Sequence, residues 1–371
     1  MRNIVKQVFN IGGLFIAISV SAQSQTAKNN IVQRYYTADS VVFFNKTDSI
    51  KIGATLTIPV GKKKYPAVVL VSGTGKQDRD GTMAGHKLFA QIADHLSNNG
   101  IAVLRMDDRG VGQTTGIYDS ATTANFAKDA LAAINYLKSR PEINSKKIGL
   151  LGHSEGGMAI AIAASQSNSV AFLVSLAGLC MNGYDALIVQ NRDLVMSSPL
   201  SDVDKKRSNA INELMFQTAL ANADSLNMAD KLNETYNKWK AEDDAYFKTL
   251  NIQFDHFRFP IYSYVRQATS PWYRYFIKYN AVKTLSRVNI PILAINGEKD
   301  VMVAYQPNLE NWKKLPNRGR NKDVTTEAIP NVNHLLLPCT KCTPQEYREI
   351  KEEISPEMLS TINDWIRKRF D

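Results

Sequence analysis

The stretch IGLLGHSEGG, residues 148–157, decides how this chain is read. Gly152-His153-Ser154-Glu155-Gly156 fits G-x-S-x-G, in which a serine sits on a strained strand-to-helix turn with its hydroxyl exposed. The flanking glycines suit a turn approached so closely by other backbone that a Cβ would clash. The context agrees with the motif. KKIGLL before it reads as a buried strand, and GGMAIAIAASQ after it reads as a small-residue helix against a sheet. The bland alternative is an ordinary βα turn with a solvent-facing serine.

Working outward, the same alternation recurs. Val41–Phe44 and Lys51–Ile58 alternate like strands around an NKTDS turn, and Pro66–Val71 is a continuous apolar run, as in a strand covered on both faces. Lys87–Asn98 has helical spacing (Leu88, Ile92 and Leu96), with Gly100 as a stop signal. Ile101–Leu104 is a buried strand, and Ala124–Ser139 is a helix with Phe126, Ala130, Ile134 and Leu137 on one face. Val170–Leu176, Pro291–Ile295 and Thr325–Ile329 read as strands, and Pro356–Phe370 as a closing amphipathic helix. Strands alternating with helices imply a mostly parallel sheet with helices on both faces. Between Cys180 and Ser270 the rhythm breaks into polar helical patterns such as Leu214–Leu220 and Ala229–Leu250. The expectation is a core of residues 23–180 and 271–371, interrupted by a helical cap over residues 181–270.

The chain has 371 residues, 44% of them hydrophobic, and a formal charge of +10. These values fit a globular protein. A basic start (Arg2, Lys6), an apolar run Ile11–Val20 and Val20-Ser21-Ala22 read as a signal peptide over residues 1–22. Without Arg2 and Lys6 the charge is +8. The apolar run is short for a bilayer span, so an exported, periplasmic or secreted protein without stable membrane insertion is expected. The remaining basic residues are scattered. The GKKKY cluster, Gly61–Tyr65, reads as a solvated hairpin tip and argues against nucleic acid as a partner. Three cysteines, Cys180, Cys339 and Cys342, leave at least one unpaired.

A serine nucleophile needs a base. Of the five histidines, only His256 and His334 follow Ser154 at a distance suited to the order Ser, acid, His. His256 lies in the helical insert, whereas His334 follows a strand, so His334 is the expected base. Asp300, in NGEKD after Pro291–Ile295, is the expected acid, with Glu298 its competitor. Backbone N–H groups of Thr74, in SGTG after Pro66–Val71, and Glu155, next to the nucleophile, are the expected oxyanion donors.

The segments VSGTGKQDRDG, MDDRGVGQTTG, GHSEGG, PWYRYF, NGEKD and NVNH, in this order, resemble the bacterial α/β-hydrolase esterases of the serine-aminopeptidase-like, dienelactone-hydrolase-related group. The resemblance runs from Lys51 to the C-terminus and is weakest in the insert. It implies an α/β-hydrolase fold and carboxylesterase chemistry on a small-molecule acyl ester, with Ser154, Asp300 and His334 as the triad. No cofactor or metal is called for. Export makes carbohydrate esters one candidate substrate.

Other residues carry narrower expectations. Asp107, Asp108 and Arg109 brace a loop through ion pairs, Gln77 to Asp80 order the oxyanion loop, and the Glu155 side chain is solvated or hydrogen-bonded near the mouth. Trp272 and Tyr273 line the acyl pocket or pack the hinge of the insert. A rival peptidase reading would need Glu242, Asp243 and Asp244 to hold a substrate ammonium, though a solvated helix face suits them better. A second rival is a non-catalytic binding protein. Thr343-Pro344-Gln345-Glu346 fits a helix start, and Cys339 and Cys342, just before it, are expected to form a local disulfide with Cys180 a buried free thiol.

Overall fold

The computed structural model describes residues 34–61 and 64–370. The expected signal peptide lies outside them. Ten strands and eleven α-helices follow in chain order among the described residues. The strands are β1 (Tyr36–Asn45), β2 (Ile50–Pro59), β3 (Tyr65–Val71), β4 (Thr82–Met83), β5 (His86–Lys87), β6 (Ala102–Met106), β7 (Ile143–His153), β8 (Leu173–Leu176), β9 (Ile292–Gly297) and β10 (Val324–Ile329). The helices are α1 (Leu88–Asn98), α2 (Thr123–Lys138), α3 (Glu155–Gln166), α4 (Gly183–Ser197), α5 (Asp202–Ala221), α6 (Met228–Phe247), α7 (Ile261–Ala268), α8 (Pro271–Ile277), α9 (Ala281–Leu285), α10 (Tyr305–Arg318) and α11 (Pro356–Phe370).

Eight strands form one sheet in the order β1-β2-β6-β3-β7-β8-β9-β10. β1 and β2 are antiparallel, as are β2 and β6, and the remaining neighbours are parallel. Because β6 lies between β2 and β3, these two strands are not the hairpin partners that the GKKKY reading implied. Sequence spacing made β2 and β3 look like partners, but β6, distant in the chain, pairs with both.

The period of two along each strand splits the core. Ala67, Val69 and Val71 face one layer with Ala127, Ala130, Ile134 and Leu137 of α2 and the small residues of α3. Val68 and Leu70 face the other, with Leu88, Ile92 and Leu96 of α1 and Met358, Ile362 and Ile366 of α11. Each fully buried Leu or Ile stabilises by roughly 1.5–3 kcal/mol through area removed from water. The alanine-rich helix α3 lets the sheet approach closely, and Gly149 leaves room for the Phe172 ring, which a Cβ would meet at 2.3 Å.

Between β8 and β9 the chain inserts helices α4 to α8 before α9 returns to the sheet. Their apolar residues, including Met215, Phe216, Trp239 and Tyr273, are continuous with the core layer that contains α3. A buried ion cluster ties the insertion together. The Arg207 guanidinium of α5 bonds Asp243 of α6 at 2.7 Å and Asp255 at 2.8 Å, and lies over the Phe257 ring. Asp243 is therefore not on a solvated face: the helix turns it inward, where it meets a fixed cation. Pairing is what makes such burial tolerable.

Candidate active site

The parallel strands end on one edge of the sheet, and loops from that edge build the site. Ser154 follows β7 with φ 56° and ψ −122°, a conformation that costs about 1–3 kcal/mol for a residue with a side chain. The turn is held by the Ser154 N–H donating to the Leu176 carbonyl, and by the Ser154 carbonyl accepting from Gly157 and Leu179. The glycines are steric necessities. A Cβ on Gly152 would lie 2.2 Å from the Gly156 carbonyl oxygen, and one on Gly156 would lie 2.3 Å from that of Val71.

The loops after β9 and β10 deliver the other two groups. The His334 ring has Nε2 3.0 Å from Ser154 Oγ and Nδ1 2.8 Å from Asp300 Oδ2. The Asp300 Oδ1 atom accepts the backbone N–H groups of Met302 and Val303, each at 2.8 Å. These bonds fix the carboxylate, so Nδ1 carries the proton and Nε2 is left to accept the serine hydroxyl. Asp300 and His334 are 6% and 4% exposed. The competitor Glu298 is exposed, and His256 lies outside the site lining.

His153, the variable residue before the serine, is a component that sequence reasoning passed over. Its Nε2 bonds the His334 carbonyl oxygen at 2.8 Å, and the two rings lie 4.9 Å apart. Burial, and after it the neighbouring His334, lower its pKa to about 3, so His153 is a neutral brace. The only sequence signal for it was its place inside G-x-S-x-G.

The loop after β3 passes beside the serine, with Gly73 so close that a Cβ would lie 2.8 Å from Ser154 Cβ. Its residues are tied down one after another. The Ser72 hydroxyl bonds Asp108 at 2.5 Å, the Thr74 hydroxyl donates to Glu155 at 2.6 Å, and the Gly75 N–H donates to the Tyr118 hydroxyl at 2.6 Å. Among the described residues, the Thr74 and Glu155 N–H groups have no acceptor within the protein.

Of the three residues expected to brace a loop through ion pairs, Asp107 and Arg109 do so and Asp108 does not. Arg79 pairs with Asp107 at 2.5 Å, and Arg109 pairs with Asp129 and Asp48, each at 2.7 Å. Among the described residues Asp108 has no ion pair, and it accepts the Gln77 N–H as well as the Ser72 hydroxyl. Burial, together with nearby Glu155 and Asp129, pushes its pKa up to about 7. Of the two expected settings, the Glu155 side chain takes the hydrogen-bonded one. It is 2% exposed and accepts from Thr74, from Thr123 at 2.5 Å and from the Trp272 indole at 2.7 Å. The insertion folds over it, which no local pattern could foretell.

Above Ser154 is a cleft of about 250 Å³ between the sheet edge and the insertion. Leu179, Phe216, Phe259, Trp272, Tyr273 and Phe276 give it an apolar, aromatic wall, and none of its lining residues is Asp, Glu, Lys or Arg. Tyr273 is both pocket wall and hinge packing, since its hydroxyl bonds that of Tyr264 at 2.9 Å. Glu242, Asp243 and Asp244 do not line the cleft.

Past His334, Cys339 and Cys342 are joined by a disulfide, and Cys180 is a buried free thiol. The expected helix at Thr343 does not form, and residues 344–349 are turns. Glu346 reaches back to accept the N–H groups of Lys341 and Cys342 in the disulfide loop. The side chain that looked like part of a capping box satisfies a loop instead.

A serine on a strained turn, a histidine oriented by a carboxylate, and two backbone N–H donors thus meet beside an apolar cleft at one edge of an α/β sheet. The chain belongs to the α/β hydrolase fold family, whose model matches residues 66–338. It is 27% identical over 315 residues to the esterase EstD of Thermotoga maritima, a match covering 84% of this chain and 65% of EstD. The chain thus spans less than two thirds of that relative's length. Its fold is similar to an esterase of Pyrococcus furiosus (TM-score 0.51, 16% identity, 90% and 91% of the two chains covered). It is similar too to the α/β hydrolase GrgF from Penicillium sp. sh18 (TM-score 0.51, 17% identity, 90% and 98% covered). Among the described residues no helix is long and apolar enough to cross a membrane.

Proposed function

We propose that this protein is a carboxylesterase-type serine hydrolase that cleaves small-molecule acyl esters through an acyl-enzyme, with Ser154 as nucleophile, His334 as base and Asp300 as its orienting acid. The observation that carries the reading is the relay from Asp300 Oδ2 through His334 to Ser154 Oγ at the base of an uncharged cleft. His334 Nε2 takes the Ser154 proton as Oγ attacks the ester carbonyl. The Thr74 and Glu155 N–H groups donate to the developing oxyanion, and Asp300 stabilises the charged imidazole. His334 then gives its proton to the departing alcohol. Water, activated by the same histidine, releases the acid and restores Ser154.

The cleft supports a narrower reading. An apolar wall without charged side chains suits an uncharged acyl group. A substrate bearing a free ammonium would find no carboxylate there, which disfavours the aminopeptidase alternative. Gln190, Asn191 and Gln267 offer amide groups to a hydroxylated alcohol, as in a carbohydrate ester. The helical insertion serves as a cap that shapes and dries the cleft, and the protein works after export, in the periplasm or outside the cell.

The similarity to EstD supports ester hydrolysis. The test is labelling of the purified protein with a fluorophosphonate, followed by hydrolysis of a panel of p-nitrophenyl esters and acetylated sugars. Labelling at Ser154 with ester turnover is expected. An unlabelled Ser154 and no turnover across the panel would leave a binding protein on a hydrolase fold.

A further inference from the structure

The Glu155 carboxylate has three partners, and they come from three separate parts of the molecule. Thr74 belongs to the loop after β3, Thr123 opens α2, and Trp272 lies on α8 of the insertion. All three can only donate to a carboxylate, and the Trp272 indole can only donate to anything. The carboxylate is buried and no cation is among its hydrogen-bond partners. Each donor is therefore needed: loss of one leaves a buried acceptor under-satisfied, at a penalty well above that of an exposed bond. The residue that supplies one oxyanion N–H thus holds, with its side chain, the residue that supplies the other.

Resting on the ester-hydrolase reading above, we propose that the Glu155 side chain is a positioning residue, a clasp through which Trp272 of the helical insertion holds the Thr74 N–H in its oxyanion-binding orientation. The clasp makes the insertion part of the transition-state machinery rather than only a pocket wall. Its neighbours point the same way. Ser72 and Gly75, on either side of Gly73 and Thr74, are themselves held by Asp108 and Tyr118. The Thr74 hydroxyl, through Glu155, ties this loop to Trp272 of the insertion.

The clasp acts on the transition state, so its signature is distinct from a packing effect. Trp272→Phe removes the indole donor and keeps a ring against Phe276, which lies 5.1 Å away. Thr74→Val removes the hydroxyl donor and keeps the backbone N–H. Both variants are purified, checked by thermal melting, and assayed with p-nitrophenyl butyrate. They are also titrated with an alkyl trifluoromethyl ketone, whose serine adduct carries an oxyanion. Each single variant is expected to lose about tenfold in kcat with KM nearly unchanged, a fraction of the ~10²–10³ that losing a whole donor costs. Ketone affinity should fall by the same factor as kcat/KM. The double variant should lose little more than the worse single variant, and Thr74→Ser should recover most of the loss.

Ketone affinity that stays at the wild-type value, losses confined to KM, or losses that simply multiply in the double variant would each overturn the clasp while leaving the esterase reading intact. A wild-type protein that neither turns over the ester nor binds the ketone would overturn both.

Discussion

His334 Nε2 lies 3.0 Å from Ser154 Oγ across a sequence separation of 180 residues. Neither residue could be placed there by its own loop. β7 and β10 are not neighbours, and β8 and β9 set the spacing between them. The contact is thus a product of the sheet order and of the His153 bond to the His334 carbonyl.

Ser154→Ala and His334→Ala should each lower ester turnover by ~10⁴-fold or more, because each removes a reacting group. Both should fold normally, since alanine leaves the turn backbone and the sheet intact. Steady-state kinetics with circular dichroism checks this. Near-normal turnover by Ser154→Ala would refute the assignment.

Asp300→Asn should cost ~10⁴-fold in kcat, because the amide favours the wrong imidazole tautomer and does not stabilise its charged form. Glu298→Gln should change little, its carboxylate being exposed. A comparison of the two kcat values decides between them, and a larger loss in Glu298→Gln would move the acid role.

Gly156→Ala should destabilise the fold by about 1–3 kcal/mol or more, as overpacking does. Its Cβ would lie 2.3 Å from one backbone carbonyl oxygen and 2.8 Å from the next, and backbone of a central strand cannot step aside. Urea unfolding measures the loss, and an unchanged midpoint would show that the turn is looser than its geometry.

Asp108 and His153 should give stability opposite pH dependences. The folded pKa of Asp108 is raised from 3.8 to about 7, so its contribution is fully present below pH 4 and is lost as pH rises to about 7. The folded pKa of His153 is lowered from 6.5 to about 3, so its contribution is present above pH 6.5 and is lost as pH falls towards 3. Asp108→Asn removes the first slope, at most about 1.4 kcal/mol per pH unit, and leaves the second. The variant should therefore gain stability relative to wild type as pH rises from 4 to 7. Urea titrations across that range check the sign, and a constant difference would mean that Asp108 is charged throughout.

Reducing the Cys339–Cys342 bridge should cost less than the usual ~2–4 kcal/mol, because the closed loop is short and little unfolded-state entropy is at stake. Glu346 continues to hold the Lys341 and Cys342 N–H groups in the reduced protein. Unfolding with and without reductant measures the difference.

What the sequence determined by itself is the part governed by short-range pattern. The period-two apolar runs marked the central strands, and the glycine-fenced serine marked the turn. The order Ser, Asp, His, each in a loop after a strand, was enough to single out Ser154, Asp300 and His334 as candidates, because parallel strands carry their following loops to one edge. Tertiary structure decided everything that depends on which distant segments meet. It put β6 between β2 and β3 and turned Asp243 inward to Arg207. It drew Glu346 away from a helix start to the disulfide loop, and closed Trp272 over Glu155 at 2.7 Å, 117 residues apart in the chain. A carboxylate, an arginine or an indole N–H is compatible with water or with a buried partner. Only the packed neighbours decide which it has, because the cost of burying a polar group depends on the partner found there.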